Sequence, residues 1–276
     1  MPRFEDNYVF VPEGEQYVAP TVLPEGIVRV SDSAIAATRL ISQEVESAPE
    51  RGEKVRIAAF DFDGTSLNGN SPVMLVRYLA FRGMLRKSVV ARILLWAGAY
   101  KMRLPQNESW VRGLVFSAFF GKPVSQVNEF LRQFYFEHVS CRFREEAELC
   151  MRAHVEAGHV VVCVSATFEP IIAAAMTEHS IQYGIATRMG IDANGCYTNK
   201  VAGLPIEGPE KMVALKAFAD EHFGKGNWEL GWSYGDHHSD RALLAAAEHG
   251  FAVTPDRPLT RTANERGYQI LDWEEK

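Results

Sequence analysis

After Gly158 the sequence settles into one rhythm, short apolar runs alternating with longer amphipathic stretches, and few folds accept that rhythm. His159–Ser165 reads as a valine-rich strand, Phe168–His179 as a helix, Tyr183–Ile191 as a strand and Pro209–His222 as a helix. Trp228–Tyr234 reads as a strand, Ser239–His249 as a helix and Phe251–Val253 as a strand, with a short helix after Pro258 and a last strand at Tyr268–Leu271. The turn Asp192-Ala193-Asn194-Gly195 leads into Cys196-Tyr197-Thr198 as a hairpin. An earlier apolar run, Val55–Phe60, ends on Asp61 and reads as a buried strand. Strands alternating with helices form a parallel sheet covered on both faces, so the expected class is α/β with a doubly wound parallel sheet.

Between the first two of these strands the pattern is helical, from about Ser71 to Ala157. Val124, Val127, Leu131 and Phe134 make one apolar stripe, Asn107 or Ser109 is placed to cap the preceding segment, and Gly121 and Pro123 punctuate two helices. The block therefore reads as an inserted all-helical domain, residues 70–157, in an α/β core of residues 55–69 and 158–276. Residues 1–54 form an extension broken by Pro12, Pro20, Pro24 and Pro49, with an amphipathic helix at Ser33–Val45.

Composition narrows the function classes. Of 276 residues, 47% are hydrophobic and 23% charged, which excludes global disorder. The net charge of −6 argues against nucleic-acid binding by bulk positive charge. Cys141, Cys150, Cys163 and Cys196 show no CxxC spacing and read as free, mostly buried thiols of a reducing compartment. No basic start followed by an apolar stretch is visible at Met1–Asp6, and the apolar run Ile93–Tyr100 is far short of the ~20 residues that span a bilayer. A cytoplasmic location is expected.

In an open parallel sheet, ligands bind beyond the carboxyl ends of the strands. There the sequence places Asp61-Phe62-Asp63-Gly64-Thr65, Ser165-Ala166-Thr167 and Gly235-Asp236-His237-His238-Ser239-Asp240, with Lys211 near the start of the helix opened by Gly208-Pro209. Confined carboxylates repel one another unless a cation intervenes. For Asp61, Asp63 and Asp236 the natural solution is a hard divalent cation, Mg²⁺. Lys211 and the Ser165 hydroxyl would offset the charge of a phosphate monoester, and Gly64 would let the backbone approach closely. Asp236 and Asp240 are one helical turn apart, which fits Asp236 for the metal and Asp240 for orienting water or Lys211. Adjacent His237 and His238 face different ways on a helix and lack a histidine partner at metal-binding spacing.

These residues resemble the haloacid dehalogenase superfamily of phosphohydrolases over Val55–Trp273, with its four motifs in order: Asp61–Thr65, Ser165, Lys211, and Gly235-Asp236 with Asp240. The 104-residue gap from Asp61 to Ser165 implies a helical cap inserted after the first motif. The tail Phe251–Leu259, then Arg266-Gly267-Tyr268, resembles the phosphoserine-phosphatase-like subfamily IB. The resemblance implies Asp61 as nucleophile, forming an aspartyl-phosphate, and Asp63 as general acid then base. It also implies Mg²⁺ on Asp61, the Asp63 backbone carbonyl and Asp236, with Ser165, Lys211, Gly64 and Thr65 at the phosphoryl group. Asp61 is expected to be ionised without help at an ordinary pKa near ~3.9, and Asp63 to be raised by neighbouring carboxylates.

Two departures carry information. Thr65 is followed by Ser66-Leu67, where leucine commonly follows the threonine directly. Enzymes acting on phosphoserine place a glutamate a few residues past the first motif; here that stretch is Asn68-Gly69-Asn70-Ser71, and no acidic residue occurs from Gly64 to Asn107. Phosphoserine is therefore not the expected substrate. The same stretch carries Arg77, Arg82, Arg86, Lys87, Arg92, Lys101 and Arg103 among apolar and aromatic residues. This pattern fits packed helices with solvated arginines, steering of a substrate with extra negative charge, or peripheral contact with anionic lipid. The expected function is Mg²⁺-dependent hydrolysis of a small phosphomonoester; the alternatives are a phosphotransferase or mutase, and a catalytically idle binding module.

Overall fold

The computed structural model describes residues 9–10, 54–85 and 108–273, with residues 9–10, 108–111 and 114 described by backbone alone. The elements follow the chain as β1 (Val9–Phe10), β2 (Val55–Phe60), α1 (Ser71–Phe81), α2 (Glu108–Phe119), α3 (Val124–Phe134) and α4 (Glu145–Glu156). Next come β3 (Val160–Phe168), α5 (Glu169–Met176), β4 (Tyr183–Ile191), β5 (Tyr197–Ala202), α6 (Pro209–His222) and β6 (Trp228–Gly235). The chain closes with α7 (Arg241–Ala246), β7 (His249–Val253), α8 (Arg257–Arg266) and β8 (Gln269–Leu271). The expected helix at Ser33–Val45, the cap at Asn107, the run Ile93–Tyr100 and the cations Arg86, Lys87, Arg92, Lys101 and Arg103 lie outside the described residues.

The sheet runs in the order β1-β4-β3-β2-β6-β7-β8, with β5 paired to β4. Pairing is parallel from β4 through β8, while β1 and β5 meet β4 antiparallel. This is the doubly wound α/β architecture. The alternating side chains of each central strand serve two cores. Ala58, Phe60, Val161, Cys163, Trp232 and Tyr234 pack with residues of α4 and α5 on one face. Ile57, Ala59, Val162, Val164 and Leu230 pack under Ala214, Leu215 and Phe218 of α6 on the other. A strand buried on both faces has to be apolar throughout, which is why Ile57–Phe60 and Val160–Val164 read as continuous runs, while Arg56 sits at the half-buried start of β2.

Helix α3 buries Val127, Leu131 and Phe134 of the expected stripe, with Val124 at its start half-buried, behind a turn in which Gly121 takes φ 72°. Ser109 lies inside α2 and so does not cap it. The expected helix Ser239–His249 is cut short. Ala247 turns extended, the Glu248 N–H donates to the Leu230 carbonyl at 3.0 Å, and His249 opens β7. Pairing with the sheet overrides the helical preference of an alanine-rich run. Strand β3 continues to Phe168 through an irregularity after Ser165. All four cysteines are free thiols, but only Cys150 and Cys163 are buried.

Helix α4 places His154 against Phe60, Trp232 and Tyr234. Its Nδ1 lies 3.0 Å from His159 Nδ1 and its Nε2 2.9 Å from the Tyr234 hydroxyl. A bond between two ring nitrogens needs one donor and one acceptor, so the pair cannot hold two full charges. Burial pushes His154 well below the ordinary histidine range and His159 down to about 4. The unfolded chain takes up these protons below its ordinary pKa of ~6.5, whereas the fold resists them. The pair's contribution is thus complete above that pH and lost as pH falls towards about 4. We expect the urea-midpoint advantage of wild type over His159→Phe to narrow between about pH 7.5 and about pH 5. A constant difference would show that His159 titrates normally.

Candidate active site

Parallel pairing brings three strand ends together. Phe60 is in register with Cys163 of β3 and Tyr234 of β6, and the Asp61 N–H extends the ladder to the Tyr234 carbonyl at 3.0 Å. Asp61, Ser165 and Asp236 therefore leave neighbouring strands at the same edge of the sheet. Opposite them, Gly208 and Pro209 open α6, and Lys211 in its first turn reaches back.

Lys211 is the hub. Its Nζ donates at 2.6 Å to Asp61 Oδ1 and at 2.6 Å to Asp240 Oδ1, with all three side chains buried. Burial, together with Asp240 and Asp236, pushes the Asp61 carboxyl well above its ordinary range, and Lys211 opposes the shift. The lysine is itself held charged by its two carboxylates, against the cost of burial. From the protein's own charges alone, then, Asp61 does not keep the ordinary carboxylate pKa that the sequence suggests.

Asp236 completes the cluster. Carboxylate oxygens of Asp61, Asp236 and Asp240 lie within 4.8 Å of one another. Burial and the Asp240 charge push Asp236 up to about 6, against a 3.0 Å hydrogen bond from the Thr65 hydroxyl. Two glycines make the approach sterically feasible. A Cβ on Gly64, whose φ is 84°, would lie 2.1 Å from Asp236 Oδ2, and one on Gly235 would lie 2.7 Å from Asp240 Cβ. Three carboxylates and one ammonium leave two negative charges in a buried space. Hard oxygen donors with that residual charge fit a divalent cation such as Mg²⁺.

Asp63 is held elsewhere. Its Oδ1 accepts the backbone N–H of Ser71 at 2.5 Å, and the hydroxyls of Ser71 and Thr167 help hold the carboxyl's pKa down. These two hydroxyls lie 2.6 Å apart. The carboxyl is raised to about 6, but the cause is burial: the expected push from neighbouring carboxylates is not what does it, and the hydrogen bonds and Lys211 act downwards. Ser165, buried at the end of β3, accepts the Thr167 N–H at 3.1 Å. The Gly64 N–H is spent inside the loop, on the carbonyls of Leu67 and Gly69.

Four residues escaped the sequence reading. Ser66, noted there only as a departure, donates its hydroxyl to the Asp61 carbonyl at 2.6 Å. Ser71 holds Asp63 through its N–H, and the Thr167 hydroxyl meets that of Ser71. Buried Arg144 donates to the Trp273 carbonyl and approaches the Gly64 carbonyl at 3.5 Å, and no motif marks it. His237 is taken up locally: its Nδ1 accepts the Ser239 N–H, and its Nε2 lies 3.4 Å from Asp256.

The charge imbalance gives a test. Mg²⁺ at roughly 100 times its Kd is expected to stabilise the fold by about 2.7 kcal/mol, raising Tm by about 5–10 °C over chelator-treated protein. Asp236→Asn should lose that response. In chelator at about pH 7.5 it should also be no less stable than wild type, because the charge it removes is disfavoured by the fold. A wild-type Tm unmoved by millimolar Mg²⁺ would contradict the site.

Comparison with known proteins places this geometry in a family. The chain is 26% identical over 224 residues to an inhibition of morphological differentiation protein from Streptomyces azureus, covering 78% of each chain. It is 25% identical over 232 residues to a histidinol-phosphatase from Neisseria meningitidis, covering 79% of this chain and 98% of that one. A Bordetella pertussis protein of unknown function superposes with a TM-score of 0.71 at 23% identity, over 80% of this chain and all of that one. A substrate-bound phosphoserine phosphatase superposes at 0.54 and 19% identity, over 81% and 96%, and shares the fold. The family described as haloacid dehalogenase-like hydrolase matches residues 58–245, and the chain belongs to it.

Proposed function

We propose that this protein is a Mg²⁺-dependent phosphatase that hydrolyses a small phosphomonoester through an aspartyl-phosphate on Asp61. The observation that carries the reading is the division of labour between two carboxylates two residues apart. Asp61 is tied to Lys211 within the acidic cluster. Asp63 is held apart from it by Ser71 and raised to about 6, near enough to neutrality to carry a proton. Phosphatase-named relatives such as the Neisseria histidinol-phosphatase support the reaction class. No acidic residue occurs from Gly64 to Asn107, which argues against a substrate ammonium in that region and so against phosphoserine.

In the first step an Asp61 oxygen attacks phosphorus, the bond from phosphorus to the ester oxygen breaks, and Asp63 gives its proton to that oxygen. In the second, the Asp63 carboxylate takes a proton from the water attacking phosphorus, and the Asp61 carboxylate departs. Ser165 accepts the Thr167 N–H, which leaves its own proton for a phosphoryl oxygen, and Lys211 supplies the positive charge. Gly64 and Thr65 act through Asp236, the one by yielding space and the other by a hydrogen bond. Asp61, Asp236 and the Asp63 carbonyl would hold Mg²⁺, with Asp240 behind them on Lys211. When bound, the ion would favour ionised Asp61 and offset the charge of the phosphoryl group. Residues 70–157 would form a cap over this edge of the sheet, with exposed Arg77 and Arg82 as the described part of its basic stretch.

Asp61→Asn should fold normally by circular dichroism and lose at least about 10³-fold in turnover of an aryl phosphate. Substantial residual turnover would count against the mechanism. Product analysis with added alcohols separates hydrolysis from phosphotransfer: inorganic phosphate alone is expected, and a new phosphate ester would mark a transferase.

A further inference from the structure

Asp63 is held by a residue of α1 that is itself braced by a residue of β3, far away in the chain. Ser71 is the first residue of α1, where the backbone N–H groups have no partner within the helix. Asn70 caps that end by accepting the Val73 N–H at 3.0 Å, which leaves the Ser71 N–H to donate to Asp63 Oδ1 at 2.5 Å. Thr167 stands at the end of β3, and its backbone N–H is fixed by Ser165 at 3.1 Å. The Ser71 and Thr167 hydroxyls meet at 2.6 Å, both residues are fully buried, and both side chains act to hold the Asp63 carboxyl's pKa down. A buried pair at that distance has little rotational freedom, so each hydroxyl fixes the direction of the other.

We infer that Ser71 and Thr167 are positioning residues which together aim the Asp63 carboxyl at the leaving oxygen, one from the helical insertion and one from the core sheet. The inference rests on the phosphatase reading and goes beyond it, because neither residue touches the phosphoryl group or the acidic cluster in that scheme. Its consequence is selective. A poorly aimed acid slows departure of a leaving group that needs a proton, and hardly affects one that leaves as a stable anion. Attack by Asp61 and binding of the phosphoryl group do not depend on the pair.

Two esters of nearly the same shape separate these effects: phenyl phosphate, whose phenol has a pKa near ~10, and 4-nitrophenyl phosphate, whose phenolate is far more stable. The readout is kcat/KM, which reports steps up to phosphoryl transfer and not the later hydrolysis common to both. Thr167→Val and Ser71→Ala should each lose about 10-fold or more on phenyl phosphate and less than ~3-fold on 4-nitrophenyl phosphate, since general acid catalysis contributes ~10²–10⁴-fold overall. Thr167→Ser, which keeps the hydroxyl, should restore the phenyl phosphate rate. If Thr167→Val does not fold, Ser71→Ala at the helix end carries the same comparison. Equal loss on both esters, no loss on either, or failure of Thr167→Ser to rescue would overturn the inference while leaving the phosphatase reading intact. A wild type that hydrolyses neither ester would overturn both.

Discussion

A buried lysine shared by two carboxylates organises this protein. Lys211 reaches Asp61 and Asp240 at 2.6 Å each, with a third carboxylate, Asp236, close by. Charges so placed are costly unless each is compensated, and removing one partner of such a set costs far more than the set gains over an apolar core. Much of the surrounding structure follows from that requirement. The parallel register of β2, β3 and β6 sets the strand ends level, α6 starts where its third residue can reach back, and Gly64 and Gly235 give up their side chains to carboxylates. Left uncompensated, the acidic cluster costs stability.

The second organising feature is separation. Asp61 and Asp63 differ by two positions and are both raised by burial, yet their partners differ: Asp61 faces Lys211 and like charges, whereas Asp63 accepts the Ser71 N–H. Two carboxylates in the same surroundings would compete for one proton. In different surroundings they can serve as nucleophile and acid at a common pH. The loop from Phe62 to Asn70 achieves this, with the Leu67 N–H on the Phe62 carbonyl and the Ser66 hydroxyl on the Asp61 carbonyl.

The sequence made the sheet and the strand-end residues legible because both depend on patterns that survive without coordinates. Apolar runs buried on two faces announce parallel strands, and polar residues that end such runs have one place to gather. Lys211 was readable for the same reason, as the first-turn residue of a helix opened by Gly208-Pro209. What pairing decides at long range was not readable. The end of α7 is set by the Leu230 carbonyl, and Arg144 matters through the Trp273 and Gly64 carbonyls. Ser71 and Thr167 look like an ordinary helix start and strand end, since their mutual approach spans 96 positions. The cause of the Asp63 shift was hidden likewise, because the sequence shows its charged neighbours but not how deeply it is enclosed.

The most direct test of the central claim is a rapid acid quench during turnover of an aryl phosphate, followed by peptide mapping. The account predicts a phosphoryl group, acid-stable and lost in base, on the peptide that contains Asp61. Steady turnover with no phosphorylated peptide, or with the label on another residue, would contradict it.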